Sequence, residues 1–161
     1  MRIALGCDHT GIELKGQVAA WLRDLGHDIQ DVGAYELDPL DDYPDFTKTL
    51  AKAVASGSVK RGIMVCGSGV GACVAANKVV GVRAAICHDT YSAHQGVEDD
   101  DMNVLCLGAR IIGVELAREL TAAFVGATFS GEERHVRRLN KVLAMEKSNL
   151  GSVHDGSKEL K

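Results

Sequence analysis

Residues 62–66 read Gly-Ile-Met-Val-Cys, and residues 67–71 read Gly-Ser-Gly-Val-Gly. A short apolar run bounded by turn residues predicts a buried strand. Three alternate glycines let the chain turn sharply out of it. A helix signal follows from Ala72 to Val79. A strand leading through a tight turn into a helix is the building unit of an open parallel sheet, and the rest of the chain repeats the alternation. Ile3-Ala4-Leu5 is a short strand ending at Gly6. Ile12, Val18, Trp21, Leu22 and Leu25 recur at helical spacing up to the stop signal Gly26. Asp28 to Val32 predicts a second strand, Val82 to Cys87 a fourth and Asn103 to Leu107 a fifth. Helices are expected over Phe46 to Ala55, Tyr91 to Asp99, Val114 to Val125 and Glu132 to Glu146. Residues 34–45 hold both prolines and many acids, and read as a loop.

The expectation is an α/β chain: a three-layer, Rossmann-like sandwich around a five-stranded parallel sheet. A length of 161 residues suits one domain, placed over residues 1–147. Residues 148–161, rich in Gly, Ser and charge, read as a flexible tail. Doubly wound sheets bind ligands beyond the carboxyl ends of their strands. Asp8-His9, the run from Cys66 to Gly71, His88-Asp89 and Arg110 all fall there.

Composition removes whole classes of function. Lys and Arg number 18 against 22 Asp and Glu, a net charge of −4. A nucleic-acid binder needs a positive excess to displace counterions, so none is expected. No apolar run reaches 18 residues and the first residues lack an apolar leader, so neither a membrane span nor a signal peptide is expected. The five cysteines are odd in number and include no CxxC, which reads as reduced thiols in a cytoplasmic setting. The six histidines form no HxxxH and no finger spacing with cysteine, so no metal site is expected.

Cys66 stands where strand meets glycine turn. Backbone N–H groups of such a turn and the start of the next helix favour negative charge. They are expected to lower the thiol's pKa toward neutrality, to supply thiolate and to make Cys66 the preferred target of iodoacetamide. A buried structural cysteine beside a tight turn fits the same pattern. The run also fits a dinucleotide fingerprint, with Ala72 third and Asp89 after the next strand. It lies on the third strand, however, and no second domain follows to hold a substrate. The Walker pattern fails for want of Gly-Lys-Ser/Thr. Asp8 or Thr10 can cap a helix, and an Asp-His pair at that place can also bind hydroxyls and phosphate. Arg134 and Arg138, four apart, share a helix face with His135 between them. Guanidinium pairs hold phosphate well, although most charge runs are solvated faces.

Gly6-Cys7-Asp8-His9, Asp42-Tyr43-Pro44, Cys66-Gly67-Ser68-Gly69-Val70-Gly71, Ala75-Ala76-Asn77-Lys78, Gly81-Val82-Arg83-Ala84, Asn103-Val104-Leu105, Gly108-Ala109-Arg110 and Arg134-His135 with Arg138 occur in this order. Together they resemble the type B ribose-5-phosphate isomerases and the wider family that includes galactose-6-phosphate isomerase subunits. The resemblance spans residues 1–147. It implies an aldose–ketose isomerase of a sugar phosphate that needs no cofactor. It also implies a homodimer or dimer of dimers with the site at the interface. It makes Cys66 the base and Ser68 a proton carrier between the two oxygens. The N–H groups of Gly67, Gly69, Val70 and Gly71 would hold the enediolate. Asp8 would hold sugar hydroxyls, and His9, Arg110, Arg134, His135 and Arg138 the phosphate and substrate, the last three reaching in from a partner.

One stretch departs from the family. Where its members commonly read His-Asn-Asp, this chain reads Asp99-Asp100-Asp101. The His is the ring-opening acid and the Asn an enediolate contact, so Asp99 and Asp100 inherit those places. An exposed carboxyl ionises near pH ~4 and is a poor proton donor to a ring oxygen. A tetrose 4-phosphate cannot close a furanose ring, because its O4 is esterified, and would need no such acid. The resemblance also fits an isomerase of a hexose 6-phosphate, or a non-catalytic subunit that binds sugar phosphate.

Overall fold

The structure, a computed structural model, describes the backbone of residues 1–151 and the side chains of residues 1–148. The chain divides into two compact units, Met1–Ser130 and Gly131–Lys161. The first unit holds five parallel strands: β1 (Arg2–Cys7), β2 (Asp28–Asp31), β3 (Arg61–Cys66), β4 (Ala84–Ile86) and β5 (Val104–Gly108), in the order β2-β1-β3-β5-β4. Its helices are α1 (Ile12–Asp24), α2 (Tyr43–Ala55), α3 (Val70–Ala76), α4 (Thr90–Asp100) and α5 (Val114–Gly126). The second unit contains α6 (Glu133–Gly151). This helix runs past the expected end near Glu146 and takes in residues 148–151, the start of the expected tail; residues 152–161 lie outside the described residues.

Beyond Arg2 and Arg61, which open β1 and β3, the central strands are apolar because both faces of the sheet are covered. Ile3, Leu5, Ile63, Val65, Leu105 and Leu107 face one core, shared with Leu14, Val18 and Leu22 of α1, Val97 of α4 and Leu120 and Phe124 of α5. The alternate residues Ala4, Met64, Cys66, Val104 and Cys106 face the other, with Leu50 and Val54 of α2 and Ala72 and Ala76 of α3. This alternation follows the two-residue period of a strand. The α/β/α layering agrees with the expectation.

Two buried cations tie helix to sheet. Arg61 donates to the carbonyls of Phe124 and Ala127, the latter at 2.7 Å, and so caps the end of α5. Lys15 donates to Asp31 at 2.8 Å and to the Ala34 carbonyl at 2.9 Å. Among the described residues no helix is long and apolar enough to cross a membrane.

Candidate active site

The chain leaves β1, pairs β2 on one side of it, then returns to place β3 on the other. This reversal opens a crevice at the carboxyl ends of β1 and β3, the place where such sheets bind ligands. Cys7-Asp8 closes β1 and Cys66-Gly67 closes β3, with Asp8 N–H donating to the Val65 carbonyl at 3.2 Å. Asp8 caps the single 3-10 turn His9–Gly11 by accepting from Thr10 N–H at 2.9 Å. Gly11 has to be glycine: a Cβ there would lie 2.7 Å from the Val65 carbonyl oxygen. The two strand ends therefore approach closely, and the Asp8 carboxylate, 5% exposed, meets the Cys66 thiol, 7% exposed.

That meeting reverses the expected pKa of Cys66. Burial pushes the thiol up from its ordinary value, and its hydrogen bond to Asp8 and the Asp8 charge push it further. The Gly69 and Gly67 N–H groups pull it down but are outweighed. The helix behind them is only seven residues long, so its dipole adds little. Cys66 is a protonated thiol beside a proton acceptor, and the expectation of a resting thiolate is corrected.

The glycine loop is held by backbone. Gly69 takes φ +81°, a left-handed conformation, and starts α3 at Val70, two residues earlier than expected. The Cys66 carbonyl accepts from Ala109 N–H at 2.8 Å and the Gly67 carbonyl from Arg110 N–H at 3.0 Å. A Cβ on Gly67 would stand 3.4 Å from Thr10 Oγ1 and 3.8 Å from Arg110 Cδ, so both side chains flank the loop. The N–H groups are partly committed: Val70 N–H donates to Ser68 Oγ at 3.2 Å, while those of Gly67 and Gly69 serve the Cys66 sulfur.

Asp8, His9, Cys66, Gly67, Ser68, Gly69, Val70, Gly71 and Arg110 thus share one edge of the sheet. Asp99 and Asp100 do not join them. They end α4, which runs back to the amino edge, just before β5 begins at Val104. Cys66 pairs with Gly108 at the other end of that strand, about 13 Å away at ~3.3 Å per residue. Asp99 there accepts from Gln95 Nε2 at 2.6 Å, and Asp101 takes Arg83 Nη2 at 2.6 Å. The reason is topological: in a parallel βαβ unit the helix returns the chain to the amino edge. A site containing both Cys66 and Asp99 cannot be built from one copy. Arg134, His135 and Arg138 lie in the first two turns of α6 in the second unit, where Arg134 is paired with Glu132 at 2.9 Å.

Three further neighbours lie beyond the candidate site residues. Thr10 lies beside Gly67. Tyr43 packs against Gly71, where a Cβ would meet its ring at 2.6 Å. Asp41 binds His9 across 32 residues of sequence. Only the motif around Asp42-Tyr43-Pro44 hints at this segment.

The fold and the site define an α/β protein with a thiol backed by a carboxylate in the crevice at its strand switch. Comparison with known proteins makes the class specific. Residues 3–142 match the Ribose/Galactose Isomerase family model. Ribose-5-phosphate isomerase B of Escherichia coli (strain K12) is 41% identical over 145 residues, covering 90% of this chain and 96% of that one. D-erythrulose-4-phosphate isomerase of Pectobacterium atrosepticum is 44% identical over 134 residues, covering 81% and 86%. The solved structure of Clostridium thermocellum ribose-5-phosphate isomerase B superposes with a TM-score of 0.88 at 41% identity, covering 92% and 99%. The chain belongs to the ribose/galactose isomerase family, and it is an isomerase.

Proposed function

We propose that the protein interconverts ribose 5-phosphate and ribulose 5-phosphate through an enediolate, with Cys66 as the base. The observation that carries this reading is the contact of the Cys66 thiol with the Asp8 carboxylate and two loop N–H groups. As substrate binds, Asp8 accepts the thiol proton. The thiolate removes the proton from the carbon beside the carbonyl. The C–H electron pair forms the enediolate double bond, and the carbonyl π pair moves to oxygen. Cys66 then returns its proton to the neighbouring carbon, while the Ser68 hydroxyl moves a proton between the two oxygens. N–H groups of the 67–71 loop stabilise the oxyanion. Asp8 also meets sugar hydroxyls, and His9 and Arg110 meet substrate from the same edge. The length of β5 between Asp99 and Cys66 within one copy supports supplying Asp99 and Asp100, and with them Arg134, His135 and Arg138, from a second copy. The cytoplasm is the compartment that suits five free thiols.

A second reading has its own support. Asp99 stands where the resemblance places a ring-opening His, and a relative at 44% identity is named for erythrulose 4-phosphate. A tetrose 4-phosphate needs no ring opening. The deciding experiment offers purified parent and Cys66→Ala protein a panel of aldose and ketose phosphates of four to six carbons. Turnover of ribose 5-phosphate, reduced by about 10²–10⁴-fold in Cys66→Ala, is the expected result. Turnover of four-carbon substrates alone selects the second reading, and parental activity in Cys66→Ala removes the thiol from the mechanism.

A further inference from the structure

The Asp41 carboxylate is placed in a way that its own loop does not explain. It lies between β2 and α2, and its side chain is 8% exposed. Oδ1 meets His9 Nδ1 at 2.5 Å. Oδ2 is buried without a hydrogen-bond partner among the described residues. Burying a carboxylate is costly unless its partners are good, and this one has a single close partner. That partner, His9, is 26% exposed and sits in the turn after β1, one residue from the carboxylate that touches Cys66.

The chemistry of the pair fixes the ring. An ionised carboxylate only accepts hydrogen bonds, so Nδ1 carries a proton whatever the charge on the imidazole. Nε2 is then the nitrogen left for a ligand: an acceptor for a hydroxyl when the ring is neutral, a donor to phosphate when it is a cation. A carboxylate behind a histidine sets tautomer and orientation in this way.

We propose that Asp41 is a positioning residue for His9, holding the imidazole by Nδ1–H so that Nε2 alone meets the sugar phosphate. The activity part rests on the proposed function; the tautomer part does not. The experiment uses the full chain with ¹⁵N-labelled histidine, His9 being assigned from the signals lost in His9→Ala. Two-bond ¹H–¹⁵N spectra across pH 5–9 are expected to show Nδ1 protonated throughout and Nε2 bare in the neutral ring. In Asp41→Ala the Nε2–H form should appear. Kinetically, Asp41→Ala should lower kcat/KM by about tenfold or more. In a His9→Ala background the same substitution should change it by less than about twofold, and Asp41→Glu should recover part of the loss. An Nε2–H ring in the parent overturns the proposal. So does an Asp41→Ala effect that persists in full without His9, since Asp41 would then act on something else. If the parent turns over no sugar phosphate, the functional reading fails while the spectra still decide the tautomer.

Discussion

Replacing Gly108 by alanine adds one methyl group at the carboxyl end of β5. Its carbon would stand 2.7 Å from the Ser68 carbonyl oxygen, 3.0 Å from the Ser68 carbonyl carbon and 2.9 Å from Ile111 Cγ1. Ile111 is 57% exposed and can turn away. The Ser68 carbonyl is backbone, and it cannot move without moving the loop. Comfortable carbon contacts begin near ~3.5 Å, so the loop must retreat by roughly 0.5–1 Å. Overpacking of this kind costs about 1–3 kcal/mol. For a chain of this size each 1 kcal/mol lowers Tm by about 2–4 °C, so the variant should melt about 2–12 °C below the parent and stay folded at 25 °C. Misplacing a catalytic group by ~1 Å can cost about 10²-fold in rate.

The expected signature is therefore asymmetric: a moderate loss of Tm with a fall in kcat/KM of about 10²-fold. Gly16→Ala is the control. A Cβ at that exposed position in α1 meets nothing within 4 Å. Alanine there should raise stability by about 0.5–1 kcal/mol and leave kcat/KM unchanged. Melting curves and steady-state kinetics on the three proteins decide the matter. If Gly108→Ala lowers Tm as expected yet keeps kcat/KM within twofold of the parent, the shape of the Ser68 loop does not govern the chemistry.

Cys73, rather than Cys66, should be the first thiol alkylated by iodoacetamide at neutral pH. A hydrogen bond from Cys106 brings Cys73 down to about 7, whereas Cys7 and Cys87 are pushed up to about 11 by burial. Thiolate is the reactive form, so its labelling rate should rise through pH 7 and level off above it. Peptide mass spectrometry that finds Cys66 labelled first refutes this. Mixing inactive Cys66→Ala with inactive Arg138→Ala should restore part of the activity, because each supplies what the other lacks; no recovery on refolding the mixture confines the arginine to its own chain.

The architecture is legible where local pattern and tertiary burial agree. β3 is apolar from Gly62 to Cys66 because helices cover both faces, and its sequence says so without help. Boundaries slip where one side chain decides them. Pro44 suggests a loop, yet proline suits the first turn of a helix, and α2 begins at Tyr43. The pattern of α3 continues to Val79, but the helix stops at Ala76. The Asn77 amide leaves it to donate to the Ala84 carbonyl and accept from Ala84 N–H, both at 2.9 Å. In the site, the residues of each strand end are readable as candidates; the contacts between strand ends are not. The rise in the Cys66 pKa depends on burial and then on Asp8, 58 positions earlier, and the orientation of His9 on Asp41, 32 positions later. Such pairs follow from the register of β1 against β3 and the path of one loop. No periodicity encodes either.

Asp99 shows how topology limits what a motif can mean. In a parallel sheet every residue just after a strand lies at one edge, and every residue just before a strand lies at the other. Asp8, Cys66 and Arg110 are of the first kind; Asp99 and Asp100 are of the second. No adjustment of α4 within the chain brings them together, because the length of β5 stands between them. If two chains build the site, as proposed, the amino edge of one copy meets the carboxyl edge of the other, and the Asp99-Asp100-Asp101 run faces a site whose base belongs to its neighbour. The acid that opens a sugar ring, if the substrate has a ring, would then come from outside the subunit that removes the proton. A carboxylate in that position donates poorly, which shifts the burden to groups on the base's own edge. His9, held there by Asp41, is the imidazole one residue from Asp8. Substrates that enter as open chains place no such demand on either copy.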